Sequence, residues 1–250
     1  MSDIKWKKWP LMKPGDWNPS GGTRPKKSPA IKYEKGHYVT RPYFKYTTSK
    51  WDHGLIDVYE LLLDPIKHNG DVVLLEFGVY YGESLQYYRD FFTDPAAKII
   101  GFDHHHPDYY ATNHHKQPGG VPWVDRPNVF LERGEQGCAD TVKSLCDRYG
   151  PFDVVVDDGN HSYPQPTENT FRIAWPYVKE GGFYFIEDVP LECSKPLLDE
   201  IVLKNEGKGL GVCRSILGFG PQEGMGGRLL VLKKTKNRIT GLDGELLGKK

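Results

Sequence analysis

The sequence predicts an α/β fold, a mainly parallel sheet with helices on both faces that closes in an antiparallel hairpin. Three observations predict it. From residue 50 onward, short β-rich apolar runs alternate with amphipathic stretches, which is the pattern of strands joined by crossover helices. Five of these runs break off in acidic or glycine-containing turns. The last two runs are joined by "PQEGMGG" (221–227), too short for a crossover helix, so they should pair antiparallel.

The elements follow in order. "GLIDVYELLLDPI" (54–66) sets Leu55, Val58, Tyr59, Leu62 and Leu63 at helical spacing, and Pro65 should end that helix. "DVVLLEFG" (71–78) is the first sheet strand, and the apolar positions of "ESLQYYRDFF" (83–92) suit the helix after it. "AKIIGFD" (97–103), "PNVFLERG" (127–134), "PFDVVVDDG" (151–159) and "EGGFYFIED" (180–188) supply four further parallel strands. "GLGVCRSILGFG" (209–220) and "RLLVLKKT" (228–235) form the closing hairpin, which makes seven strands.

Two domains are expected: an N-terminal arm over 1–45 and a catalytic body over 46–250. The arm carries Trp6, Trp9 and Trp17 among Pro10, Pro14, Pro19, Pro25 and Pro29, with no helical or strand period. Three Trp are more than a solvated tail requires, so the arm is expected to pack on the body or on a neighbouring subunit; homo-oligomer formation stays open. The chain is neutral overall, with 33 basic and 33 acidic residues, but residues 1–50 carry a net charge of +9. This balance argues neither for a polyanionic partner nor for a membrane surface. No RNA-binding motif accompanies the basic arm, so nucleic acid is disfavoured as a partner.

The four cysteines, Cys138, Cys146, Cys193 and Cys213, show neither CxxC spacing nor a metal-ligand pattern with His. The start, "MSDIKWKKWP", has no apolar core of a secretory signal, and no run approaches the roughly 18 apolar residues of a membrane span. A cytoplasmic protein is expected.

Open α/β sheets bind ligands beyond the carboxyl ends of their strands, where the strand order reverses. "EFGVYYGES" places Glu76, Gly78 and Gly82 at such an end, in a turn where a ligand can approach the backbone closely. Asp103 ends the next strand 21 residues after Gly82, where a carboxylate can accept both ribose hydroxyls. The glycine turn and the acid together point to an adenosine-containing cofactor. No GK[ST] follows the turn, so a P-loop is excluded.

Asp158, Glu187 and Asp188 form a sharper group. If the fourth and fifth strands are neighbours, their ends lie about 4.8 Å apart. Three carboxylates then crowd one volume, and their repulsion calls for a cation. Oxygen-only ligands suit a hard ion such as Mg²⁺. His161, three residues past Asp158, is placed to take a proton from an acceptor hydroxyl. Asp157 is read as contacting the cofactor or orienting the site from behind.

At this point "LLEFGVYYGESL", "IIGFD", "GPFDVVVDDGNH" and "KEGGFYFIEDV", in this order, resemble the Mg²⁺-dependent sugar O-methyltransferases of macrolide biosynthesis, over roughly residues 46–190. The resemblance implies a Rossmann-like, seven-stranded class I methyltransferase sheet and S-adenosyl-L-methionine as methyl donor. It implies that Asp158, Glu187 and Asp188 hold Mg²⁺, that His161 is the general base, and that Glu76, Gly78, Asp103 and the Gly134-Glu135-Gln136 turn border the donor. "YTTSKWDHG" (46–54) resembles a family stretch that would bring Thr48, Lys50 or His53 to the cofactor, although Ser49 stands where the family usually has Asp.

The acceptor implied is a sugar hydroxyl, in a deoxyhexose such as rhamnose on a glycan or glycosylated natural product. A catechol-like O-methyltransferase, or a metal-dependent hydroxylase or hydrolase using the same acids, are the alternatives. The long segment 104–127 is read as a substrate lid, with Tyr109, Tyr110 and Trp123 for stacking on a sugar face. Its five His suggest a transition-metal site as the rival reading of that segment.

Overall fold

The structure is a computed structural model of the 250-residue chain, and it describes residues 32–33, 37–38, 48, 50, 55–105, 127–160, 165–189, 216–218 and 228–234. The chain divides into two units, Met1–Thr40 and Arg41–Lys250. In the first, β1 (Lys32–Tyr33) pairs antiparallel with β2 (His37–Tyr38).

The second unit is built on a seven-stranded sheet. Its strands are β3 (Val73–Phe77), β4 (Lys98–Asp103), β5 (Val129–Arg133), β6 (Phe152–Asp157), β7 (Val178–Ile186), β8 (Ile216–Gly218) and β9 (Arg228–Lys233), in the order β5-β4-β3-β6-β7-β9-β8. The first five pair parallel, while β9 runs antiparallel to both β7 and β8. The expected α/β sheet with a closing antiparallel hairpin is therefore present. The strand order reverses between β3 and β6, the crevice where an open sheet takes its ligand.

Helices cover both faces. Helix α1 (Leu55–Leu63) continues into a 3-10 turn at Asp64–Ile66, so Pro65 tightens the last turn and the chain leaves the α-helix two residues ahead of it. With α2 (Glu83–Phe91), α1 packs Leu55, Tyr59, Leu85 and Tyr88 against Leu74, Ile99, Val154, Val156 and Phe185 on one side of the sheet. On the other side, α3 (Ala139–Tyr149) and α4 (Gln165–Ala174) bring Val142, Leu145 and Phe171 against Leu75, Ile100, Val155, Tyr184 and Ile186.

Each buried strand thus sends alternate residues to opposite cores, as a two-residue period demands. The aromatic side chains fit edge to face, with Tyr59 and Phe185 ring centres 4.7 Å apart. Among the described residues no helix is long and apolar enough to cross a membrane.

Candidate active site

The polar ends of β3, β4, β6 and β7 converge at the point of strand reversal. Asp158 N–H donates to Phe77 O at 2.9 Å, and Glu187 N–H donates to Asp157 O at 2.9 Å, so the three strand ends are tied side by side. Gly78 has φ 83, a backbone region that costs a side-chain-bearing residue about 1 kcal/mol or more. A Cβ there would run into the carbonyl oxygen of Asp158 and lie 2.6 Å from the α-carbon of Gly159. Gly82, also left-handed at φ 78, immediately precedes α2.

Asp103 organises the turn between β3 and α2. Its Oδ2 accepts the backbone N–H of Val79 at 2.7 Å and of Tyr80 at 3.2 Å, while Oδ1 accepts the N–H of His105 at 3.1 Å. Burial works to raise its pKa, but these hydrogen bonds outweigh burial and hold it below the ordinary Asp value. An ionised carboxylate therefore stands at the carboxyl end of β4, with the rings of His104 and His105 each placing Nδ1 within 3.0 Å of Oδ1.

The central feature is a group of three carboxylates, Glu76, Asp158 and Glu187, whose oxygens lie within 4.8 Å of one another. Strand alternation explains its membership. Glu76 follows the face of Leu74, and Asp158 and Glu187 follow those of Val156 and Phe185, all on the α1 and α2 side. Asp157, one position earlier, lies on the opposite face with Tyr184. Asp188 does not join the group among the described residues; it has left the strand at φ 53.

Lys50 penetrates this group. Its Nζ lies 2.5 Å from Asp158 Oδ2, 2.6 Å from Glu187 Oε1 and 3.3 Å from Glu76 Oε1, and its side chain is 3 % exposed. Tyr59 donates its hydroxyl to the same Glu187 oxygen, and Ser84 donates to Glu76 Oε2 at 2.6 Å. Burial, with Asp158 close by, pushes Glu187 up to about 8, and burial above all pushes Glu76 up to about 7. Burial works against the charged lysine, yet the three carboxylates hold its pKa well above the ordinary value.

Behind the group, Asp157 is held from two sides. Gln136 Nε2 donates to Oδ1 at 2.6 Å and Tyr184 donates to Oδ2 at 3.2 Å. Gln136 also accepts the backbone N–H of Asn160 through Oε1 at 2.7 Å, so it ties the β5–α3 turn to the loop leaving β6. Burial is the main cause of an Asp157 pKa near 7.

Of the residues singled out from sequence, Gly78, Asp103, Gln136, Asp157, Asp158 and Glu187 are gathered here. Glu76 stands with the carboxylates as well as at the glycine turn. Thr48 is buried and its hydroxyl accepts the backbone N–H of Lys50 at 3.3 Å. Glu135 is exposed. His161, His53, Tyr109, Tyr110 and Trp123 lie outside the described residues, as does the segment 106–126 that makes up most of the expected lid. Tyr59 went unnoticed in the sequence because it also serves as an apolar member of the α1 helical pattern.

The family model described as a methyltransferase domain matches residues 75–189. That span runs from the middle of β3 to three residues beyond β7, and so contains the glycine turn, Asp103, Asp157, Asp158 and Glu187.

The chain is 30 % identical over 154 residues to the 8-demethyl-8-(2-methoxy-alpha-L-rhamnosyl)-tetracenomycin-C 3'-O-methyltransferase of Streptomyces olivaceus, covering 58 % of this chain and 35 % of that protein. It is 32 % identical over 128 residues to the mycinamicin VI 2''-O-methyltransferase of Micromonospora griseorubida, covering 48 % of this chain and 28 % of the relative. The chain therefore spans about a third of the length of the curated relatives it matches.

A solved methyltransferase of the mycinamycin biosynthetic pathway, in complex with Mg, SAH and mycinamycin VI, aligns with a TM-score of 0.56 at 25 % identity. The alignment covers 77 % of this chain and 52 % of that one. An O-methyltransferase from Bacillus cereus in complex with SAH shares the fold at 13 % identity and a TM-score of 0.53, over 78 % of this chain and 93 % of its own.

Proposed function

We propose that this chain is an S-adenosyl-L-methionine- and Mg²⁺-dependent O-methyltransferase whose acceptor is a sugar hydroxyl of a glycosylated natural product, a deoxyhexose such as rhamnose. The observation that carries the reading is the contact between Gly78 and Asp158. It presses the turn suited to the methyl donor directly against the oxygen cluster suited to a cation and an acceptor. The sugar O-methyltransferases similar to it support the choice of acceptor.

The donor set fits a hard divalent ion. Asp158 and Glu187 offer carboxylate oxygens at adjoining strand ends, and the cluster already accommodates one cationic group, the Lys50 ammonium. A dication there would favour the ionised forms of Glu187 and Glu76, whose pKa values burial raises. Asp158, Glu187 and Asp188 are the residues proposed to hold it. When bound, such an ion would orient the acceptor oxygen and favour loss of its proton.

The chain's own residues do the rest. Gly78 and Gly82 let the donor lie close to the backbone, and Asp103, kept ionised, receives the ribose hydroxyls. Gln136 and Asp157 position the loop after β6, which leads to His161. His161 is the proposed base for the acceptor hydroxyl as the methyl group passes from sulfur to oxygen, the sulfonium losing its charge as the bond breaks. Catalysis then rests mainly on holding acceptor oxygen and methyl carbon at near-attack separation, roughly 3 to 3.5 Å.

The test is incubation of the full chain with labelled methyl donor, Mg²⁺ and a panel of deoxyhexose glycosides beside simple catechols. Label on a sugar oxygen supports the proposal, whereas label on catechols alone moves the enzyme to the catechol type.

A further inference from the structure

Lys50 occupies the place of a cation before any ion is considered. Its ammonium is within hydrogen-bond distance of Asp158 Oδ2 and Glu187 Oε1, and it lies beside Glu76. The same residue also starts a helix: its carbonyl accepts the N–H of Leu55 at 2.9 Å and of Ile56 at 3.4 Å. Helix α1 then returns to the cluster through Tyr59, which donates to Glu187. The start of α1 and the carboxylates are thus fastened at two points.

A buried ammonium is costly unless opposite charge surrounds it, and buried carboxylates repel one another unless a cation separates them. Each solves the other's problem here. A divalent ion directed to Asp158 and Glu187 meets this lysine as a like charge bound to the same two side chains.

We propose that Lys50 is an internal counter-cation and positioning residue for the oxygen cluster. It keeps Glu76, Asp158 and Glu187 assembled in the ion-free protein. It competes with a divalent ion for Asp158 and Glu187, which weakens ion binding and keeps it exchangeable. Release of Lys50 from these two carboxylates, with Glu76 still beside it, passes the state of the site to the start of α1. The inference rests on the proposed function in taking Asp158 and Glu187 as ion ligands.

The test is Mn²⁺ binding to the full-length protein, read by electron paramagnetic resonance of the free ion, together with the Mn²⁺-induced rise in melting temperature. Lys50→Met should bind Mn²⁺ at least tenfold more tightly than the wild type and gain more thermal stability from it. A residue that served structure alone would leave affinity equal or lower.

If Lys50→Met does not fold without the ion, the pair Lys50→Met with Glu76→Gln removes one charge of each sign. That double variant should then bind at least tenfold more tightly than Glu76→Gln alone. Equal or weaker binding in these comparisons overturns the inference. Asp158→Asn separates the two ideas: if it leaves Mn²⁺ binding untouched, the ion site itself is wrong. If it abolishes binding while the lysine variants fail to tighten it, the role of Lys50 alone falls.

Discussion

Gly78 rests its α-carbon against the backbone of Asp158, with no room for a side chain between the glycine turn and the oxygen cluster. Gly78→Ala must either strain a backbone at φ 83 or push the ends of β3 and β6 apart. Strain of this kind costs ~1 to 3 kcal/mol. The expected result is a lower melting temperature and at least tenfold weaker binding of S-adenosylhomocysteine by calorimetry, whereas wild-type affinity would show that the turn does not meet the donor.

Asp103→Asn separates donor binding from ion binding. The carboxylate accepts the N–H groups of Val79, Tyr80 and His105, and an amide must turn its NH₂ toward at least one of these donors. S-adenosylhomocysteine affinity should fall about tenfold, roughly 1.4 kcal/mol, with Mn²⁺ affinity unchanged. Equal loss of both would contradict a ribose-facing role.

Asp157 gives a pH signature. Burial raises its pKa from 3.8 to about 7. Between these values the unfolded chain releases a proton that the folded protein keeps, so folding stability falls as pH rises and levels off above about 7. Asp157→Asn lacks this proton. The stability difference between wild type and variant, from urea unfolding at pH 5 to 8, should move against the wild type by up to about 1.4 kcal/mol per pH unit below pH 7. A difference independent of pH would rule out the buried, protonating aspartate.

Tyr59→Phe keeps the ring packed against Phe185 but removes the hydroxyl that Glu187 accepts. Loss of a hydrogen bond to a buried acid should cost about 1 to 3 kcal/mol in urea unfolding. No change in stability would mean that Glu187 is held without Tyr59.

The strands were legible in the sequence because both sheet faces are buried, which makes β3, β4, β6 and β7 unbroken apolar runs that end in acids. The hairpin followed from the length of its connection. At the site, the acidic pairs drew attention, but pairing them by strand neighbourhood alone left Glu76 out of the group. The two-residue alternation that sorts Val154 and Val156 from Val155 also sorts Asp158 from Asp157, and it brings Glu76 into the cluster from the next-to-last position of β3. Lys50 was harder to see. It lies 26 residues before Glu76 and 137 before Glu187, and only the docking of α1 carries it to the carboxylates. The resemblance had pointed to its neighbourhood for the donor.

The most direct test of the central claim is methyl transfer to a deoxyhexose glycoside, followed by mass spectrometry before and after removal of divalent ions. The account predicts one added methyl group on a sugar oxygen with Mg²⁺ present. It also predicts loss of turnover with EDTA while S-adenosylhomocysteine still binds, and recovery when Mg²⁺ is restored. Transfer that proceeds unchanged in EDTA, or that survives Asp158→Asn, would contradict it.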